Sequence, residues 1–172
     1  HLNDYNIIRK RRMNTQTQQV MFSSKSNEWT TPKAFFDKLG SMFGPFTLDP
    51  CSDGTNNLTP FHFTEVQNGL EQDWQGHVVF MNPPYSRSEL KKWLRKAYEE
   101  GQKKGTVVVA LIPSRTDTKY WHEYVMKARH IIFVKGRIKF GSGTKSAPFP
   151  SAVVVFDSNY TGANPTICSI TT

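Results

Sequence analysis

The run Asn82-Pro83-Pro84-Tyr85, straight after the apolar stretch 77–81, carries the residue types best suited to chemistry in this chain. Two successive prolines fix backbone dihedrals and remove two N–H donors, which leaves the Pro83 carbonyl free to accept from outside the chain. Asn82 brings another acceptor oxygen close by, and Tyr85 a flat aromatic surface. An exocyclic amine is a poor nucleophile because its lone pair is delocalised into the ring. Two acceptors gripping its hydrogens favour a pyramidal nitrogen and turn the lone pair toward a methyl donor. Attack on a sulfonium methyl needs no charged general base, since positioning accounts for much of the acceleration. A base taken out of its stack could lie against the tyrosine. Four residues alone would also fit a Pro-Pro turn that ends a strand, with Tyr85 as ordinary packing. The elements around the corner must decide.

Those elements alternate. Thr31 before Pro32 reads as an N-cap with proline at the first helical position. Phe35, Phe36, Leu39, Met42 and Phe43 recur at helical spacing until Gly44-Pro45. A short strand, 46–48, runs into Asp49-Pro50, and residues 51–75 read as irregular. After the strand at 77–81, Ser86 and Glu89 have capping-box spacing. A helix follows with Leu90, Trp93, Leu94, Ala97 and Tyr98 on one stripe. Residues 107–112 form a fully apolar run, as a buried parallel strand does. A helix turning Tyr120, Trp121, Tyr124, Val125 and Ala128 inward comes next, then strands at 131–134 and 152–156. The expected fold class is α/β, a mostly parallel central sheet with helices on its faces. Ligands bind such sheets beyond the carboxyl ends of the strands, here at Asp49, Asn82 and Pro113.

With 172 residues, 37% apolar and 13% aromatic, the chain suits one compact domain. We expect that domain over residues 28–157. A flexible basic arm is expected over 1–27, with Met13 or Met21 as alternative starts after leader or added sequence, and a polar tail over 158–172. The net charge of +8 suggests a polyanionic partner. Between Tyr124 and Phe156 there is no acidic residue, while Lys127, Arg129, Lys135, Arg137, Lys139 and Lys145 supply six positive charges, as a phosphate-facing surface would. Cys51 and Cys168 make no CxxC pair, and the five histidines lack metal-ligand spacing, so neither a metal nor a disulfide framework is expected. No apolar run approaches the roughly 20 residues that span a bilayer, and a soluble, cytoplasmic protein is expected.

Taken in order, Trp29-Thr30-Thr31-Pro32, Leu48-Asp49-Pro50-Cys51, Asp73-Trp74, Asn82-Pro83-Pro84-Tyr85-Ser86, the block 113–118 and the block 136–140 resemble the motifs of phage-type, Dam-like DNA adenine N6-methyltransferases. The resemblance spans residues 28–156. It implies a single Rossmann-like methyltransferase domain, S-adenosylmethionine as cofactor, double-stranded DNA as partner and a bacterial or phage-infected cell as setting. Trp29, Thr30, Thr31 and Pro32 would then help hold the methionine part of the cofactor. Asp49, Pro50 and Cys51 would form the first cofactor motif, and Asp73 would lie near the cofactor's adenine. Asn82, Pro83, Pro84 and Tyr85 would hold a flipped adenine. Ser86, Arg87, Arg115, Lys119, Arg137, Lys139 and Lys145 are the candidate DNA contacts. The chain departs from the wider superfamily after Asp49, where only Gly54 stands in place of a glycine-rich turn, and the ribose-binding acid is Asp53 or Glu65. Cytosine N4 or an RNA base as acceptor, and an inactive DNA-binding module, are the alternatives. A GATC-type target rests on the resemblance alone.

Overall fold

The computed structural model describes residues 29–55, 58–141 and 143–172. The basic arm expected over 1–27 lies outside them. Helix α1 (Lys33–Phe43) buries Phe35, Phe36 and Leu39, which recur three and four residues apart. Gly44 ends it at φ +100°, a backbone conformation that side chains rarely adopt. The helix begins one residue later than the expected Thr31 cap, with Pro32 as N-cap. Thr31 Oγ1 accepts a hydrogen bond from Asn82 Nδ2 at 3.0 Å and makes no capping bond to the helix.

Strand β1 (Leu48–Asp49) is followed by β2 (Phe61–His62) and a 3₁₀ turn (Gly69–Glu71), both inside the stretch expected to be irregular. Strand β3 (Val78–Met81) leads into Asn82. Helix α2 (Arg87–Glu100) buries Leu90, Trp93, Leu94 and Ala97 of the expected stripe and leaves its fifth member, Tyr98, partly covered. Its N-cap is Ser86, but no side-chain capping bond forms; Glu89 accepts from Lys92 Nζ at 2.7 Å instead of closing a capping box. After β4 (Val107–Pro113), the single helix expected from Tyr120 to Ala128 breaks into α3 (Lys119–Glu123) and a 3₁₀ turn (Val125–Lys127). Strands β5 (His130–Lys135) and β6 (Ser151–Asp157) fall where expected.

The polar tail expected over 158–172 is corrected by the structure. Thr166–Thr171 form strand β7, parallel to β5, with Ile131 opposite Ile167 and Val134 opposite Ile170. Only Ile170 of β7 is partly covered. Backbone pairing holds this strand, and an apolar face does not, so it left little periodic signal.

The sheet order is β2-β1-β3-β4-β6-β5-β7. Strand β6 runs antiparallel to β4 and β5, and every other pairing is parallel. Alternation along β3 and β4 sorts the core onto two faces. Val79, Met81, Val108 and Ala110 meet α2 and α3, while Phe80, Val109 and Leu111 meet α1 together with Phe140 and Phe149. Each such large side chain contributes about 1.5–3 kcal/mol by leaving water. Because β1, β3 and β4 are parallel neighbours, Asp49, Asn82 and Ser114 emerge along one rim.

Candidate active site

Asn82 leaves β3 at that rim with its carboxamide held from three directions. Nδ2 donates to the Trp29 carbonyl at 2.8 Å and to Thr31 Oγ1 at 3.0 Å, while Oδ1 accepts from the Tyr85 hydroxyl at 2.5 Å. An amide oxygen has two lone pairs, so Oδ1 keeps one for another donor. No described donor reaches the Pro83 carbonyl. Two acceptors from adjacent residues therefore stand ready at the end of β3.

The sequence suggested that Tyr85 offers a ring face to a base. In the structure it is 5% exposed and sits among Trp29, Phe140 and Phe149, with centroids 6.0, 6.3 and 5.4 Å away. Such ring pairs add about 0.5–1.5 kcal/mol each beyond burial. Burial, reinforced by Cys51 and opposed by Arg115, pushes the phenol above its usual pKa, so the hydroxyl stays a donor to Asn82. The same hydroxyl lies 3.3 Å from the Leu111 carbonyl on β4.

A cavity of about 760 Å³ opens beside this corner. Trp29, Thr30 and Thr31 line it from the N-terminal side, Asp49, Pro50 and Cys51 from the end of β1, and Asn82, Pro83 and Pro84 from the end of β3. Gly141 N–H donates to the Thr30 carbonyl at 2.9 Å, which ties the segment after β5 to the same wall. Among the described residues its charged lining is wholly acidic: Asp49, Asp53, Glu65 and Glu89, with no lysine, arginine or histidine. Desolvation at the wall, with the nearby Asp53 adding and a 2.9 Å hydrogen bond from Cys51 N–H opposing, raises the Asp49 carboxyl from 3.8 to about 7. Burial, with Asp49 adding, pushes the Cys51 thiol up as well.

Two expected cofactor residues stay outside this cavity. The Pro32 carbonyl accepts from the N–H groups of Phe35 and Phe36 in the first turn of α1. Asp73 is exposed and accepts from Lys103 Nζ at 2.8 Å and Gln75 N–H at 3.1 Å. The Lys103 hydrogen bond, ahead of the one from Gln75, holds its pKa down. Its neighbour Trp74 is fully buried, donating from its backbone to Glu100 at 3.0 Å and from its indole to the Gly69 carbonyl at 2.9 Å. The Asp73-Trp74 pair thus fastens the preceding loop to α2.

Glu65, Val66, Gly69, Phe80, Glu89 and Trp93 line the cavity without having been singled out as firm cofactor contacts. Gly69 packs so closely that a Cβ there would lie 2.1 Å from the Pro50 carbonyl oxygen. The signal was present in Phe61-His62-Phe63. Reading those residues as a strand beside β1 puts Glu65 just past a carboxyl end, next to Asp49.

The candidate DNA contacts divide. Arg87, Lys119, Arg137, Lys139 and Lys145 are exposed and make no ion pair among the described residues. All five follow the carboxyl ends of β3, β4 or β5, and β5 runs in the same direction as β4 because both oppose β6. Ser86 is partly exposed at the start of α2. Arg115 turns inward, and its Nη1 donates to the Tyr85 carbonyl at 2.8 Å. Lys127 and Arg129 precede β5 and so belong to the opposite rim, where Lys127 sits over the Tyr98 ring and Arg129 pairs with Asp157. The acid-free stretch is therefore not one surface. Among the described residues no cluster could hold a metal ion, and no helix is long and apolar enough to cross a membrane.

Comparison with known proteins bears on this arrangement directly. The family model for DNA N-6-adenine-methyltransferase (Dam) matches residues 18–171. A DNA N-6-adenine-methyltransferase of Haemophilus phage HP1 (strain HP1c1) is 30% identical over 141 residues, 78% of this chain and 80% of its own length. A DNA N-6-adenine-methyltransferase of Escherichia phage T1 is 26% identical over 108 residues, covering 62% of this chain and 44% of that one. Among solved structures, a Listeria monocytogenes protein assigned to the class I S-adenosylmethionine-dependent methyltransferases matches with a TM-score of 0.57 at 10% identity, over 90% of this chain and 69% of that one.

Proposed function

The chain belongs to the DNA N-6-adenine-methyltransferase (Dam) family, and on that premise we propose how its own residues move a methyl group from S-adenosylmethionine to the N6 amine of adenine in DNA. The observation that carries the reading is the Asn82 carboxamide, preset by three hydrogen bonds beside an unpaired Pro83 carbonyl on the wall of an acidic cavity.

The cavity fits the cofactor. S-adenosylmethionine bears a sulfonium and an ammonium against one carboxylate, and the described lining holds four acids and no lysine, arginine or histidine. Leu58, Leu70 and Phe80 supply apolar surface for its adenine. Glu65 is the better candidate for the ribose hydroxyls, because it follows β2 and has no described partner. Asp53 is already engaged, accepting from both the N–H and the hydroxyl of Thr55 at 2.8 Å. Trp29, Thr30 and Thr31 stand beside Asn82 and suit the methionine end, while Asp49, Pro50 and Cys51 form the floor. When bound, the cofactor supplies an electrophilic sulfonium methyl.

The chain's own residues position the acceptor. Asn82 Oδ1 and the Pro83 carbonyl accept hydrogen bonds from the two N6 hydrogens of adenine, so that the lone pair faces the cavity; once N6 carries the methyl group, one of those protons passes to water. Tyr85 holds the oxygen of Asn82 in place, and Thr31 and Trp29 hold its nitrogen. An adenine reaches such a corner only when rotated out of its helix. Arg87, Lys119, Arg137, Lys139 and Lys145 meet the phosphates of double-stranded DNA along the rim. The setting is the cytoplasm of a bacterial or phage-infected cell, where DNA and cofactor are both present.

The test is transfer of labelled methyl from S-adenosylmethionine to unmethylated duplex DNA, followed by digestion and nucleoside chromatography. Label in N6-methyldeoxyadenosine is expected. Label in cytosine, or none with folded protein, would overturn the reading.

A further inference from the structure

Arg115 was expected at the DNA surface, yet its guanidinium points to the catalytic corner. Nη1 donates to the Tyr85 carbonyl at 2.8 Å, and Nη2 is buried without a partner among the described residues. The backbone of Arg115 is itself pinned: its N–H donates to the Pro113 carbonyl, and its carbonyl accepts from the buried Thr118 hydroxyl at 2.7 Å. Four residues earlier, on β4, the Leu111 carbonyl lies 3.3 Å from the Tyr85 hydroxyl. Strand β4 and the turn that follows it thus reach both ends of Tyr85, and Tyr85 in turn sets the Asn82 oxygen.

We propose that Arg115 is a positioning residue for methyl transfer, acting through the backbone of Tyr85 to fix the two acceptors at Asn82 and Pro83. This rests on the assignment of that corner as the amine-binding site. The prolines leave the segment no N–H between Asn82 and Tyr85, so an external donor on the Tyr85 carbonyl is one of few ways to hold its path. A charged donor suits that task because hydrogen bonds to ionised groups are the stronger ones.

The experiment compares Arg115→Met, Arg115→Lys and Asn82→Ala with the unaltered protein on duplex DNA that the latter methylates. Single-turnover rates, S-adenosylmethionine affinity by calorimetry and DNA affinity across a salt series are measured. Arg115→Met is expected to lose on the order of 100-fold in methyl-transfer rate, as small misplacements of reacting groups do. Affinities for cofactor and DNA, and the salt slope, stay unchanged. Arg115→Lys recovers part of the rate, within on the order of tenfold of the unaltered protein, and carries the test alone if Arg115→Met does not fold. An unaltered rate in both folded variants would overturn the proposal. So would a loss confined to DNA affinity with the salt slope falling by about 1, the mark of a phosphate contact. Full activity in Asn82→Ala would overturn the underlying assignment and this one with it. Inactive Asn82→Ala beside fully active Arg115 variants would overturn the positioning role alone.

Discussion

Thr31 Oγ1 accepts a hydrogen bond from Asn82 Nδ2 at 3.0 Å, joining residues 51 positions apart. This contact helps orient the amide whose oxygen, in the proposed reading, faces the amine. Replacing Thr31 with Val removes the acceptor and keeps the shape. Loss of one neutral hydrogen bond, about 1 kcal/mol, is expected to lower the methyl-transfer rate roughly fivefold. Single-turnover kinetics at saturating cofactor and DNA measure it, and an unchanged rate would show that the Trp29 carbonyl and the Tyr85 hydroxyl suffice to hold Asn82.

Asp49 links the cavity to pH. Its folded-state pKa is raised to about 7 from an ordinary 3.8, chiefly by desolvation. The folded chain therefore keeps a proton that the unfolded chain releases. The stability this group contributes is present below the unfolded value and is lost as pH rises through the folded one. Thermal melts without cofactor should show stability falling from about pH 4 to about pH 7, with a shallower fall in Asp49→Asn. A cationic cofactor prefers the ionised carboxylate, so S-adenosylmethionine should bind more tightly as pH rises toward that value in the unaltered protein and not in the variant. Matching pH profiles for the two proteins would count against the Asp49 contact.

Glu100 is 2% exposed, and its carboxylate accepts from Lys96, Lys103 and the Trp74 backbone. Glu100→Ala leaves the partly covered Lys96 and a buried N–H unpaired, and should lower unfolding free energy by about 3 kcal/mol. Urea denaturation checks this. A loss under about 1 kcal/mol, the usual worth of an exposed pair, would mean that the network is solvated.

Gly69 holds the loop after β2 against Pro50. Because an added Cβ would lie 2.1 Å from the Pro50 carbonyl oxygen, Gly69→Ala must shift backbone under the cavity floor. A loss of about 1–3 kcal/mol in stability is expected, together with weaker S-adenosylmethionine binding by calorimetry. Unchanged cofactor affinity in a destabilised variant would separate this packing from the site.

Lys139 and Lys145 are exposed beyond the end of β5 and make no ion pair among the described residues. Changing either to Gln should weaken DNA binding evenly across sequences and lower the slope of log affinity against log salt by about 1. Lys127→Gln, on the opposite rim, should leave that slope unchanged.

Much of this protein was legible in its chain. The apolar run now seen as β4, the helical stripe of Leu90, Trp93, Leu94 and Ala97, and the Asn82-Pro83-Pro84-Tyr85 corner are local patterns. Periodicity and proline stereochemistry determine such patterns wherever they occur, so the α/β class and the rim carrying Asp49 and Asn82 followed from the sequence. What tertiary structure alone decided are the contacts between distant segments. Strand β7 has almost no covered side chains and exists because β5 offers it a ladder. Tyr85 could have faced solvent or a base, and only the arrival of Trp29, Phe140 and Phe149 buries it. Asp73 and Arg115 carry charges whose partners, Lys103 and the Tyr85 carbonyl, each lie 30 residues away. A charged side chain looks alike in sequence whether it faces water, a phosphate or a buried carbonyl. The fold supplies the partner, and the partner determines what the charge does.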